Sequence, residues 1–186
     1  MHRLGSRCIV LVGLMGSGKT SVGRRVAKRL EMRFVDADEE IERAAGGQPI
    51  RDIFRQHGEA FFRERERQVI ARLLGEGPSV LATGGGAYMD AATRAAVAAN
   101  GVSIWLKADL SVLLERVMRR APEDRPMLQK DGRSPEENLG RLMTDRHPFY
   151  AQSDITVETR DVSHEVVVDE IVAALLASEK LAPGVV

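Results

Sequence analysis

The stretch Gly13-Leu14-Met15-Gly16-Ser17-Gly18-Lys19-Thr20 decides the fold. It fits the pattern G-x-x-x-x-G-K-[ST]. Upstream, residues 8–14 are continuously apolar, with Ile9, Val10 and Val12. That suits a strand buried on both faces of a parallel sheet. Downstream, residues 19–31 place Val22, Val26, Ala27 and Leu30 at helical spacing. Strand, glycine loop and helix in that order form the setting in which this pattern binds a nucleoside triphosphate. Glycines let backbone N–H groups converge on phosphate oxygens, and the helix N-terminus adds positive potential. Lys19 is placed to reach the β- and γ-phosphates, and the Thr20 hydroxyl to ligate Mg²⁺.

Working outward, Phe34-Val35 is a second short strand, ended by Asp36-Ala37-Asp38. A helix over 39–45 stops at Gly46-Gly47. Pro49 opens a short helix that closes near Gly58, and a longer one covers 59–74. A strand at 79–82 runs into Thr83-Gly84-Gly85-Gly86. Asp90 is a cap for a helix at 91–99, and Asp109 for one at 110–119, on either side of a strand at 102–106. Residues 121–133 carry two prolines, a glycine and many charges without an apolar period, and read as a mobile loop. Ser134-Pro135-Glu136-Glu137 is a helix start, with that helix running to about Arg146. A strand at 155–157 and a helix at 166–176 follow, then a loose tail at about 181–186. Strands alternating with helices give an α/β fold with a parallel sheet, one domain over 1–186.

Composition excludes several functions. In 186 residues, 27 Lys and Arg balance 27 Asp and Glu, which argues against a dedicated nucleic-acid binder. Aromatic residues are 4%, too few for a base-stacking surface. Cys8 is the single cysteine, so no internal disulfide framework exists. No apolar run approaches the ~20 residues of a membrane span. The basic N-terminus reads into a strand rather than a leader peptide, so a cytoplasmic setting is expected.

Three uses of the γ-phosphate remain: a small-molecule kinase, a GTPase switch, or an ATPase module. A guanine-reading motif would need an amide or hydroxyl where Leu106 precedes Lys107-Ala108-Asp109. An ATPase module shows a strand ending in a carboxylate, whereas 79–82 ends in Thr83-Gly84. Asp36 and Asp38 instead follow the second strand. Two apart on extended backbone, they would share one face, one near the metal and one at an acceptor hydroxyl; equally, both would cap the next helix. Gly84, Gly85 and Gly86 suggest a ligand against bare backbone, or a flexible turn. Arg63, Arg65 and Arg67 alternate with Glu64 and Glu66, the pattern of a solvated, paired helix face. Arg63 differs in following Phe61-Phe62, which places it at the rim of a pocket. Arg125 lies in the 121–133 loop, where an arginine closes over a γ-phosphate in such enzymes. Arg146 ends a helix, where a cation is favoured by the dipole in any case.

Together these residues resemble the shikimate kinase family. The likeness runs through 13–21, Phe34-Val35-Asp36-Ala37-Asp38, Gly58-Glu59-Ala60-Phe61-Phe62-Arg63, Thr83-Gly84-Gly85-Gly86-Ala87, Arg125-Pro126-Met127-Leu128 and Arg146-His147-Pro148-Phe149-Tyr150, in order. The resemblance implies a P-loop fold, five parallel strands ordered 2-3-1-4-5, with a lid at about 120–134. It implies phosphorylation of the shikimate 3-hydroxyl by ATP with Mg²⁺, in aromatic amino-acid biosynthesis; a monomer is expected. By the same resemblance, Gly16, Ser17, Gly18, Lys19, Thr20 and Ser21 hold ATP. Thr20 and Asp36 serve the metal, and Asp38 meets the reacting hydroxyl. Arg63, Arg146, Gly84, Gly85 and Gly86 bind shikimate. Arg125 reaches the phosphates, and adenine falls near Arg120 and 160–162. A sugar-acid kinase of the gluconate type and a non-catalytic nucleotide-binding regulator are the competing readings.

Overall fold

The computed structural model describes residues 6–119, 132–160 and 162–178. Its five strands are β1 (Cys8–Val12), β2 (Arg33–Asp36), β3 (Ser79–Ala82), β4 (Gly101–Lys107) and β5 (Ile155–Glu158). All neighbours pair parallel, in the order β2-β3-β1-β4-β5. The helices are α1 (Lys19–Arg29), α2 (Ala37–Ala44), α3 (Ile50–Gly75), α4 (Ala91–Asn100), α5 (Leu110–Met118), α6 (Pro135–Tyr150) and α7 (His164–Ala177). A 3-10 turn, Ala87–Met89, precedes α4.

Central β1 shows why the sheet is covered on both faces. Cys8, Val10 and Val12 pack with Ile53, Phe62, Ile70 and Leu73, while Ile9 and Leu11 pack with Val22, Val26, Val168 and Ile171. Alternate side chains of one strand thus feed two separate cores, as a parallel sheet with crossover helices requires. The C-terminal strand ends share one edge, where the loops after β1, β2 and β3 meet, the usual ligand edge of such sheets. No helix among the described residues is long and apolar enough to cross a membrane.

Local expectations hold where the signal is local. Asp90 accepts from Thr93 N–H at 2.6 Å, and Ser134 with Glu137 closes a capping box. The two helices expected around Gly58 run together as α3 across a break at that residue, whose φ of 80° is left-handed. Asp109 stands at the N-cap of α5, but its side chain makes no cap hydrogen bond.

One boundary differs in a way that matters. α6 does not stop near Arg146 but continues through Pro148 to Tyr150. Proline in a last turn forfeits one backbone bond. The fully buried Tyr150 side chain, hydrogen-bonded through its hydroxyl, outweighs that loss. The 121–133 loop lies outside the described residues up to 131, and the tail lies outside them entirely.

Candidate active site

The phosphate loop crosses the C-terminal edge of β1 and delivers α1 at Lys19. Gly13 has φ 139°, and a Cβ there would lie 2.7 Å from the Leu106 carbonyl oxygen, so only glycine brings the loop this close to β4. Lys19 Nζ donates to the Gly13 and Leu14 carbonyls at 2.8 and 2.9 Å, which holds the ammonium over the loop. A cavity of about 440 Å³ opens here, lined by Gly16, Ser17, Gly18, Lys19, Thr20 and Ser21. Asp36, Asp38 and Gly85 form its inner wall.

At the cavity's far end stand Arg116, Thr159 and Val162. Arg116 Nη2 donates to the Arg160 carbonyl at 2.8 Å, which fixes its guanidinium beside the loop after β5. Sequence reading looked to Arg120 and 160–162 for this end and missed Arg116; Arg120 lies outside the described residues. The signal was its place between Leu113 and Val117, the two buried positions of α5, which turns it toward the sheet.

The two aspartates do not share an extended face. Asp36 ends β2 and caps α2, accepting from Asp38 N–H at 3.1 Å, and Asp38 lies in the first helical turn. The helix starts too early for period-two geometry to apply. Both carboxylates nevertheless reach the cavity. Thr20 Oγ1 donates to Asp36 Oδ2 at 2.8 Å. A hydroxyl beside a carboxylate is a hard-oxygen pair of the kind that suits Mg²⁺, which keeps several waters and needs few protein ligands. Asp38 is open to the cavity, yet its walls strip much of its hydration. That loss, reinforced by Asp36 and Glu66 and opposed by Lys19, pushes its carboxyl up to about 6.

The three glycines do not present bare backbone; side chains occupy the space their missing Cβ atoms leave. A Cβ on Gly84 would lie 2.5 Å from Glu66 Oε1 and 3.0 Å from Asp38 Oδ1. On Gly86 it would lie 2.5 Å from the Arg63 guanidinium, and on Gly85 3.4 Å from Arg146 Nη1. The turn therefore gathers Asp38, Arg63 and Arg146 at one place. Residues 63–67 split between two environments. Arg67 pairs with Glu64 in solvent, as expected of a charged helix face. Glu66 instead is 2% exposed and accepts from Arg63 Nη1 at 2.6 Å. Sequence reading missed it, although it stands between Phe62 and Val69–Ile70 on the buried stripe of α3. Burial pushes the Glu66 carboxyl up, with Arg63 the main opposing charge. Burial would lower Arg63, but Glu66 and Glu59 more than offset it, so the guanidinium stays charged. Its flat face lies 5.1 Å from the Phe62 ring centre.

Arg146 is not a solvent-facing cation at a helix end. It is 8% exposed, one turn inside α6. Arg125 lies outside the described residues.

Comparison with known proteins gives this geometry its context. Residues 15–176 match the family model described as shikimate kinase. Shikimate kinase of Bradyrhizobium diazoefficiens is 56% identical over 177 residues, 95% of this chain and 83% of that one. The Nitrobacter winogradskyi shikimate kinase is also 56% identical, over 92% of this chain and 78% of its own. Among solved structures, shikimate kinase from Acinetobacter baumannii in complex with shikimate superposes with a TM-score of 0.86 at 36% identity, covering 93% of this chain and 94% of that one. With its sheet order, its phosphate loop and the paired arginines around one glycine turn, the chain belongs to the shikimate kinase family.

Proposed function

We propose that this chain transfers the γ-phosphate of ATP to the 3-hydroxyl of shikimate, giving shikimate 3-phosphate and ADP on the way to aromatic amino acids. The observation that carries the reading is the glycine turn, which gathers two arginines and an aspartate, the aspartate itself lining the phosphate-loop cavity. Phosphoryl transfer asks mainly for positioning and charge neutralisation. Arg63 and Arg146 grip the planar carboxylate of the acceptor, a task that suits the guanidinium fork. Glu66 sets the Arg63 fork from beneath. Gly84, Gly85 and Gly86 leave the room beside the turn that Asp38, Arg146 and Arg63 occupy. The gripped ring turns one hydroxyl toward Asp38, which above pH about 6 is ionised and accepts that hydroxyl's proton or its hydrogen bond.

On the donor side, the amides of Gly16, Ser17 and Gly18, with Lys19, Thr20 and Ser21, hold the triphosphate. Arg116 faces the nucleoside end. Thr20 and Asp36 would hold Mg²⁺, whose charge, when bound, neutralises the phosphates. Arg125 is assigned to the phosphates by family resemblance, as part of a lid at about 120–134 on a single domain. A monomer acting in the cytoplasm belongs to the same reading.

Coupled ADP release with shikimate, gluconate or no acceptor tests the reading. Shikimate-dependent ADP release alone is expected. Faster turnover of gluconate would make the chain a sugar-acid kinase, and ADP release indifferent to any acceptor would remove acceptor chemistry altogether.

A further inference from the structure

Among the described residues Tyr150 has the largest side chain that is fully buried, and its hydroxyl does not idle in the core. It donates to the Gly85 carbonyl, the middle of the glycine turn. The Arg146 guanidinium, one turn earlier on α6, lies near enough to the same phenol to act on it as a charge. Arg146 also lies against Gly85 itself. The ring is clamped by Trp105, with centroids 5.9 Å apart, so the hydroxyl has little freedom. Loss of hydration pushes the phenol up to about 12, so it remains a donor throughout the physiological range.

We propose that Tyr150 is a positioning residue for acceptor recognition: one hydroxyl ties the glycine turn to the Arg146 guanidinium, so both meet the acceptor carboxylate as one rigid wall. The inference rests on the reading of Arg146 as a carboxylate ligand. An arginine has many rotamers, and one held in place before binding loses less freedom when it grips its ligand. Tyr150 supplies that hold from within the core. It also explains why α6 persists through Pro148: the helix must reach Tyr150 to complete the contact.

A second buried tyrosine supplies the control. Tyr88 leaves the same glycine turn, and its hydroxyl meets Ser103 Oγ at 3.2 Å, which in turn bonds Asp154 at 2.9 Å. That strut is likewise buried, but it runs to β4 and Asp154. Tyr150→Phe keeps the ring and removes the hydroxyl. Its KM for shikimate should rise about 5–20-fold, in the range expected when one buried carbonyl loses its partner, with KM for ATP within twofold. Tyr88→Phe should leave both within twofold. In an Arg146→Lys background, Tyr150→Phe should add little, because its effect passes through the guanidinium. p-Aminophenylalanine at 150, which restores a donor, should return KM toward wild type. Should Tyr150→Phe prove insoluble, p-fluorophenylalanine removes the donor at nearly unchanged volume and serves the same test. An unchanged shikimate KM in the Phe or fluoro variant overturns the inference. So does an equal rise for ATP, or full additivity with Arg146→Lys. An unchanged shikimate KM in Arg146→Lys itself overturns the reading of Arg146, and this inference with it.

Discussion

The phosphate loop and the proposed acceptor pocket touch at Asp38 and Gly85, yet they are built by opposite means. The loop is eight consecutive residues whose conformation follows from its own glycines and from the strand and helix it joins. The pocket is gathered from α2, α3, the glycine turn and α6, with Asp38 and Arg146 108 positions apart in the chain. A local device tolerates change elsewhere but not within itself. A gathered one depends on how each distant part is held, and so contains residues such as Glu66 and Tyr150 whose work is to hold others.

The contrast is open to direct tests. The largest effect belongs to the loop: Lys19→Ala should lower turnover by about 10²–10³-fold, the usual cost of removing one charge-stabilising donor, with the melting temperature nearly unchanged. Lys19 packs no core, so a large fall in stability would contradict this separation. Arg63→Lys should come next, raising KM for shikimate by about 10–100-fold while ATP binding persists, because an ammonium cannot replace the fork. A comparable loss of ATP affinity in steady-state titrations would mean that the two regions are not separable.

Paired glycine substitutions sharpen the point. Gly86→Ala would first meet the Arg63 guanidinium, the far end of a flexible side chain. The expected outcome is a folded enzyme with shikimate KM raised about tenfold, by partial loss of the Arg63 contact. Gly13→Ala would meet the Leu106 carbonyl of β4 from a left-handed backbone, so thermal melting and ATP binding should both suffer. The reverse pattern would show that the pocket, not the loop, is the rigid part.

The smallest effect concerns the metal-free protein. Asp38 holds its proton more tightly when folded, up to about pH 6, than when unfolded, near its ordinary 3.8. The folded state therefore binds more protons between about pH 4 and 6, and stability falls as pH rises through that window. Asp38→Asn should lack this decline, a difference of no more than about 1 kcal/mol after solvent screening, readable by chemical denaturation at pH 4 and 7. A wild type that gains stability over the same window, relative to the variant, would mean that Asp38 is stabilised as an anion.

The alternating charges of residues 63–67 show where the sequence stops being informative. Their pattern reads equally as a solvated face or a pocket rim. Glu64 and Arg67 took the first role, and Arg63 and Glu66 the second. Both pairs are three apart, so spacing alone treats them alike. Asp36 and Asp38 divide similarly. Their membership of the site was legible, but the strand-to-helix change between them was not, because Asp36 serves as a cap only once α2 begins behind it.

By itself the sequence determined the α/β class, the strand order by resemblance, the phosphate loop and its context, and the caps at Asp90 and Ser134. These rest on dihedral preferences, hydrophobic periods and hydrogen bonds within a few residues, all written locally. Only the tertiary structure decided that Glu66 is buried beneath Arg63, that Arg116 closes the cavity's far end, and that α6 overruns Pro148 to reach Gly85 through Tyr150. Each of those depends on which face of a helix meets which loop. Packing settles that, by summing burial over residues far apart in the chain, where no local pattern records it.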